Sequence, residues 1–471
     1  MPLLTNAPQR TRRFFQLFKI AVTGSEKEFT TGSIDRAIFL LSIPMILEMA
    51  MESLFAVVDI YFVSHLGVNA ITAVGLTESV LTLVYTGAMG LSMAATAMIA
   101  RRTGEKDPDA AAHAAMQSLY PGLVISVLIS LAGIFFAKDI LLVMGAAKEV
   151  ADYGYVYTQI ILGGNIVIIL LFLINGIFRG AGDAALAMRS LWIANGLNII
   201  LCPLLISGWG PIPALGLKGA AIATFIGRGT GVIYQLYHLV KGKDLIRITK
   251  KHLAPAFPLI GAILKIAAGA TAQMLIASAS WIFLVRIISH FGKDAVAGYT
   301  IAIRVVIFTI LPAWGMANAA AALVGQNLGA QQPGRAEKSA WRAAFFNMIF
   351  LGVVAVVFMV WAPAIIGFFT TDPVVITYGV QCIRLMSAGY VFFAYGMVLT
   401  QSFNGAGDTR TPMLINMFIM WLFQMPLAYT LAILLKMGPV GVFWAMAISE
   451  STSALVAIWL FRRGTWKQVK I

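Results

Sequence analysis

Apolar runs of 20 or more residues recur along this chain from residue 36 to residue 461. A helix of about 20 residues crosses the roughly 30 Å hydrocarbon core of a bilayer, with every backbone polar group satisfied inside the helix. A transmembrane barrel is excluded, because its strands read as segments of about ten alternating residues. Composition agrees: 59% of the 471 residues are hydrophobic and only 11% are charged. The spacing predicts twelve spans, at 36–65, 69–99, 110–137, 151–178, 184–207, 217–240, 257–290, 294–327, 337–368, 373–403, 411–435 and 439–461. The N-terminus shows no signal-peptide pattern. Cys202 and Cys382 both fall in spans, so no disulfide framework or metal-site spacing is present.

The net charge of +14 could suggest a nucleic-acid partner. Its distribution excludes one. Of 34 basic residues, 24 lie at the N-terminus, in the even-numbered loops or at the C-terminus; the odd-numbered loops hold five. This is the positive-inside pattern, and it predicts that both termini are cytoplasmic.

The chain repeats itself. HLGVNA at 65–70 answers HFGKDA at 290–295, RTGEKDPDAA at 102–111 answers NLGAQQPGRA at 327–336, and RGAGD at 179–183 answers NGAGD at 404–408, all offset by 225 residues. In the last pair of spans LKGAA at 217–221 answers PVGVF at 439–443, an offset of 222. Each half holds six spans, so both enter the membrane from the same side and form parallel repeats. The expected organisation is an N-terminal segment at 1–35, a six-helix lobe at 36–240, a basic linker at 241–258, a second six-helix lobe at 259–463 and a tail at 464–471.

Five of the 20 acidic residues lie well inside spans: Glu48, Glu52 and Asp59 in the first, Glu78 in the second and Glu450 in the twelfth. At about 100° per residue the first three share one stripe. A charge at the bilayer centre costs at least about 2.5–3.5 kcal/mol on insertion scales, so the stripe should face a cavity or a basic partner, with Arg286 and Arg304 as candidate partners. The offset of 225 places Gln273, Ala277, Leu284 and Ile303 opposite Glu48, Glu52, Asp59 and Glu78. At these four positions only the first half carries acids. Glu450 is expected to be structural, or paired with Arg228 or Arg384.

VGQNLGAQQPGRA at 324–336, GAGDTRTPM at 405–413, IPMI and VVDIYFVSHLG in the first span and LGLKGAAIAT before the sixth together resemble the MATE (multidrug and toxic compound extrusion) transporters, in particular the DinF-like branch of bacteria and archaea. The resemblance covers residues 36 to 463 and implies an all-α fold of twelve helices in two six-helix repeats. It implies a cation-coupled antiporter of the inner, cytoplasmic membrane that exports small organic cations, acts as a monomer and is not an enzyme. No cofactor is implied beyond H+ or Na+ as coupling ion, and no metal beyond Na+ at Asp59. By the resemblance Asp59 is the coupling carboxylate, Asn198 and Thr224 complete its site, and Pro44 is a bending point. Cys202 stands where relatives of this branch carry a second aspartate, which favours protons over sodium; Glu48 and Glu52 are candidates to compensate. Glu78, Gln273, Tyr390 and Tyr395 are candidate substrate-cavity residues. The alternative within the superfamily is a flippase for a lipid-linked or polyanionic substrate, whose cavity should be basic.

Overall fold

The structure is a computed structural model that describes residues 7–24, 28–211, 213–241 and 246–471. Parts of the expected N-terminal segment (1–6 and 25–27) and linker (242–245) lie outside these residues. The described chain is helical apart from short connections. A first helix, α1 (Ala7–Thr23), precedes the spans. Twelve rods follow. In the first half they are α2 (Ile34–Ser64), α3 (Val68–Gly104), α4 (Pro108–Val143), the broken pair α5 (Lys148–Gly163) and α6 (Ile166–Ala181), α7 (Ala184–Ser207) and α8 (Leu217–Lys241). In the second they are α9 (Phe257–Ser289), α10 (Lys293–Gly329), α11 (Pro333–Gly367), the broken pair α12 (Pro373–Ala388) and α13 (Tyr390–Gly405), a rod formed by α14 (Arg410–Asn416), α15 (Met425–Tyr429) and intervening π-helical turns, and α16 (Pro439–Arg463).

Ten rods are long and apolar enough to cross a membrane, and eleven if α12 and α13 count as one bent span. The remaining rod is α8. Its buried Arg228 and Gln235 lower its apolarity, and it packs along α7.

The repeated motifs are helix corners. In RGAGD, Gly182 ends α6 in the left-handed region at φ 88°, and the Asp183 carboxylate accepts the backbone N–H of Leu186 at 3.1 Å to start α7. In NGAGD, Gly407 takes φ 89° and Asp408 accepts the N–H of Thr411 at 3.1 Å. Glycine carries the positive φ at little cost, and aspartate satisfies an N–H that has no partner inside its helix.

The two halves meet as a pseudo-symmetric pair. A Cβ placed on Gly104 would collide with the Gln326 carbonyl, and one on Gly329 with the Arg101 carbonyl. These four positions exchange under the offset of 225. Gly90 lies against Ala267 and Thr271 of α9, while its counterpart Gly315 lies against Met45 and Ile46 of α2. Reciprocal contacts of this kind require a two-fold axis between the lobes. They account for the close packing of α3 on α9 and of α10 on α2.

Hydrogen bonds between the lobes cluster at the end of the bundle that carries the basic loops. Arg101 donates to the Ala406 carbonyl at 3.3 Å and Gln326 to the Gly180 carbonyl at 2.9 Å. Arg335 donates to the carbonyls of Gly32 and Thr31 at 2.9 Å. Arg342 grips Asp35 through two bonds, of 2.8 and 2.6 Å, and these hold the Asp35 carboxyl below its ordinary pKa. The tail docks here too: Trp466 is buried against Phe461, and the Val469 carbonyl accepts from Arg101 at 3.0 Å. A small polar pocket lies just inside this closed end, lined from both lobes by Thr96, Arg179, Asn318, Gln401 and Asn404.

Three features depart from twelve plain spans. The fourth and tenth rods are broken at equivalent points, Gly164 and Gly389, and the tenth bends there by 59°. The eleventh rod winds as π-helix over Met417–Gln424 and Thr430–Leu434. Residues 7–23 of the N-terminal segment form a helix that packs on α2 and α7.

Candidate cation site in the first lobe

The three carboxylates that α2 carries beyond its first turn, Glu48, Glu52 and Asp59, do not share one environment. Glu48 is 1% exposed and accepts hydrogen bonds from Asn175 Nδ2 at 3.0 Å and from Arg179 Nη1 at 3.3 Å. Arg179 continues to Ser92 Oγ at 2.9 Å, and the Asn175 oxygen accepts from Ser190 and Gln235. Glu48 is therefore one member of a buried polar network joining α2, α3, α6, α7 and α8. Glu52 accepts from Asn195 Nδ2 at 2.9 Å and from Arg228 Nη2 at 2.9 Å. Arg228 is 1% exposed, and its guanidinium lies 4.9 Å from the Phe55 ring centre and 5.8 Å from those of Tyr85 and Phe172.

These partners differ from the expected ones. Arg286 and Arg304 are exposed and form no ion pair among the described residues. The cations that meet the stripe are Arg179 and Arg228. Arg179 falls one residue past the predicted end of the fourth span, in the RGAGD motif. In the structure α6 runs on through Ala181, which carries Arg179 into the protein interior. Glu450 pairs with neither Arg228 nor Arg384: Arg228 is held by Glu52, and Arg384 donates to the Met359 carbonyl.

Asp59 is the exception in the stripe. It is 7% exposed and forms no ion pair among the described residues. Among the described residues its one hydrogen-bond partner is the Cys202 thiol, which donates to Oδ1 at 3.7 Å. Asn198 stands one helical turn before Cys202 on α7, on the same face. Asn198 Nδ2 donates to Thr224 Oγ1 of α8 at 3.0 Å, and its buried Oδ1 has no hydrogen-bond partner. The structure thus brings Asp59 onto Cys202, and Asn198 onto Thr224, where three helices meet. Glu78 and Arg228 are within electrostatic reach of Asp59. This set could hold a proton on the carboxylate. It could also offer oxygens to a hard monovalent cation, with the thiol as its weakest donor.

Of the other expected residues, Pro44 is buried inside α2, which continues through it as one helix. Gln273 is buried, with Oε1 unpartnered and its carbonyl accepting from Asn416 at 3.2 Å. Tyr390 begins α13 and lines a pocket in the second lobe. Tyr395 lies elsewhere, tilted against Trp341 with ring centres 6.1 Å apart. Sequence reasoning missed Asn175 and Asn195, which hold Glu48 and Glu52. Their signal was faint: two amides in otherwise apolar spans.

Comparison with known proteins agrees with the repeat and the corner motifs. The MatE profile matches the chain twice, over residues 44–204 and 270–430. The probable multidrug resistance protein YoeA of Bacillus subtilis is 24% identical over 93% of this chain and 96% of its own. The multidrug export protein MepA of Staphylococcus aureus is 25% identical over 91% and 94%. Among solved structures, an outward-facing multidrug resistance MATE transporter of the MOP superfamily superposes with a TM-score of 0.87 at 28% identity, over 94% of this chain and 98% of that one. A MOP superfamily transporter from Pyrococcus furiosus Vc1, whose binding pocket is described as reversed in polarity, also gives 0.87 at 27% identity, over 94% and 98%. Two profile matches covering most of the sequence, on a fold of two six-helix repeats, make this chain a member of the MatE family.

Proposed function

We propose that this protein is a cation-coupled multidrug antiporter of the cell membrane, with both termini cytoplasmic, that exports organic cations by alternating access. One observation carries the reading. Of the three carboxylates that α2 carries inside the bundle, Asp59 alone has no basic partner among the described residues. A carboxylate locked to an arginine cannot exchange its counter-charge during a transport cycle. A buried carboxylate that is hydrogen-bonded to a thiol, with no ion pair among the described residues, can gain and lose a cation without breaking the fold.

A proton is the favoured coupling ion. The neighbour that would complete a sodium site is Cys202, a soft donor to a cation that prefers oxygen. Protonation of Asp59 removes one negative charge from the first lobe and weakens its hold on a cationic drug; loss of the proton restores it. The names of the relatives YoeA and MepA support drug efflux as the process. The second reading, a flippase for a lipid-linked or polyanionic substrate, draws on the polarity described for the Pyrococcus protein. Against it stands the pairing with Glu48 of Arg179, the one basic residue lining the inter-lobe pocket among the described residues.

The test is ethidium transport in proteoliposomes under an imposed pH or sodium gradient. A pH gradient should drive efflux in the wild type, and Asp59→Asn should abolish the driven component while leaving thermal stability nearly unchanged. Wild-type flux through a folded Asp59→Asn variant would remove Asp59 from the coupling role. Movement of a lipid-linked anion with no ethidium flux would favour the flippase.

A further inference from the structure

The second lobe contains a pocket of its own, apart from the cation site above. Glu450 of α16 lines it together with Trp281 of α9, Met386 of α12, Tyr390 and Phe393 of α13, and Met446 of α16. Among the described residues, Glu450 makes no ion pair and no side-chain hydrogen bond. The nearby amide of Gln424 is occupied on its oxygen, which accepts from Ser280 at 3.1 Å.

Two backbone irregularities converge on this pocket. The break at Gly389 ends α12 and starts α13, and Met386, Tyr390 and Phe393 flank it. The π-helical stretch Met417–Gln424 ends at Gln424, which also lines the pocket. Interrupted helices and π-turns forgo regular hydrogen-bond geometry, and proteins concentrate them at functional sites.

The internal repeat shows what the fold holds at this location. With the offset of 222 that governs the last pair of spans, Glu450 corresponds to Arg228 and Met446 to Thr224. With the offset of 225, Ile310 of the pocket corresponds to Tyr85, and Ala277 to Glu52. In the first lobe this location is filled by a tethered cation, the Arg228 guanidinium, lying over Phe55, Tyr85 and Phe172 and bound to the Glu52 carboxylate at 2.9 Å. In the second lobe the arginine is gone and a carboxylate stands in its place among aromatic rings. The missing partner is a cation.

We propose that Glu450 and the aromatic side chains around it form a binding site for a free monovalent organic cation, with a delocalised or quaternary charge and apolar substituents. The carboxylate supplies the counter-charge, and the faces of Trp281, Tyr390 and Phe393 supply cation–π and apolar contact. Met386 and Met446 adapt to variable shapes because the thioether chain is flexible and polarizable. The inference rests on reading the chain as a carrier of organic cations, and it assigns one place where such a cation sits.

The experiment is equilibrium binding of radiolabelled tetraphenylphosphonium to the purified full chain, without any gradient. Neutral triphenylphosphine oxide serves as a control of similar shape. Glu450→Gln should weaken tetraphenylphosphonium binding tenfold or more and leave the neutral analogue unaffected. The Trp281→Leu variant provides a second route if Glu450→Gln folds poorly, with an expected loss of several-fold. Unchanged tetraphenylphosphonium affinity in either folded variant overturns the site. An equal loss for the cation and the neutral analogue also overturns it, since Glu450 would then act only through packing. Because no gradient is used, failure of coupling at Asp59 and failure of this site give separate results.

Discussion

At the scale of residues, the division of labour on α2 follows from what each carboxylate meets. Glu48 and Glu52 are held by Arg179 and Arg228 at 3.3 and 2.9 Å. Removing one member of a buried pair leaves an uncompensated charge and typically costs about 3–5 kcal/mol. Glu52→Gln should therefore lower stability by up to about that amount, because the buried Arg228 guanidinium loses its counter-charge and keeps at most a neutral amide acceptor beside its aromatic contacts. Arg228→Gln in the same background should recover a large part of the loss, which a double-mutant cycle on thermal unfolding would measure. Full additivity of the two substitutions would mean that the pair is energetically silent. Glu48→Gln should cost less, since the amide can still accept from Asn175, and Arg179 keeps Ser92.

At the scale of elements, the lobes approach through glycines. Gly90 lets α3 sit against the Ala267 carbonyl and Thr271 of α9, and Gly315 lets α10 sit against the backbone of α2 at Met45 and Ile46. No Cβ fits at either place without displacing backbone. Overpacking of this kind costs typically about 1–3 kcal/mol. Gly90→Ala and Gly315→Ala should each destabilise the chain by a similar amount, because the two contacts are related by the repeat. Thermal melts of the single variants test this; a large effect at one position and none at the other would show that the interface is asymmetric in energy. Interruptions follow the same repeat. The breaks at Gly164 and Gly389 occupy equivalent positions, yet only the second adjoins the Glu450 pocket.

At the scale of the whole molecule, the lobes are latched at the basic end by Arg101, Arg335 and the Arg342–Asp35 pair. In the proposed alternating-access cycle this latch opens. Arg335→Ala combined with Arg342→Ala should expose the inter-lobe pocket from the basic side. Thiol labelling of Asn404→Cys reads this directly: Asn404 is 2% exposed, and the native Cys202 and Cys382 are both buried. Labelling should rise several-fold in the double variant. An unchanged rate would show that the glycine contacts, and not the arginines, hold this end closed.

Apolar run length was enough to place the twelve rods, ten of which, or eleven with the bent pair, are long and apolar enough to cross a membrane among the described residues, because a bilayer forces each backbone segment to satisfy itself in a helix. The constant offset of 225 was enough to reveal two halves, and the glycine–aspartate corners were legible because positive φ and N-capping demand particular residue types. Asp59 also stood out, as an acid in an apolar span. The destination of its neighbours could not be read the same way. Glu48, Glu52 and Asp59 lie on one stripe of one helix, and their different fates depend on Arg179, Arg228 and Cys202, which are 120 or more residues away in sequence. Ion-pair partners are chosen by how helices rotate and pack against one another, and local periodicity does not encode that rotation. The same holds for Glu450. Its lack of an ion pair among the described residues and its ring of aromatic neighbours exist only once α9, α12, α13 and α16 have closed around it.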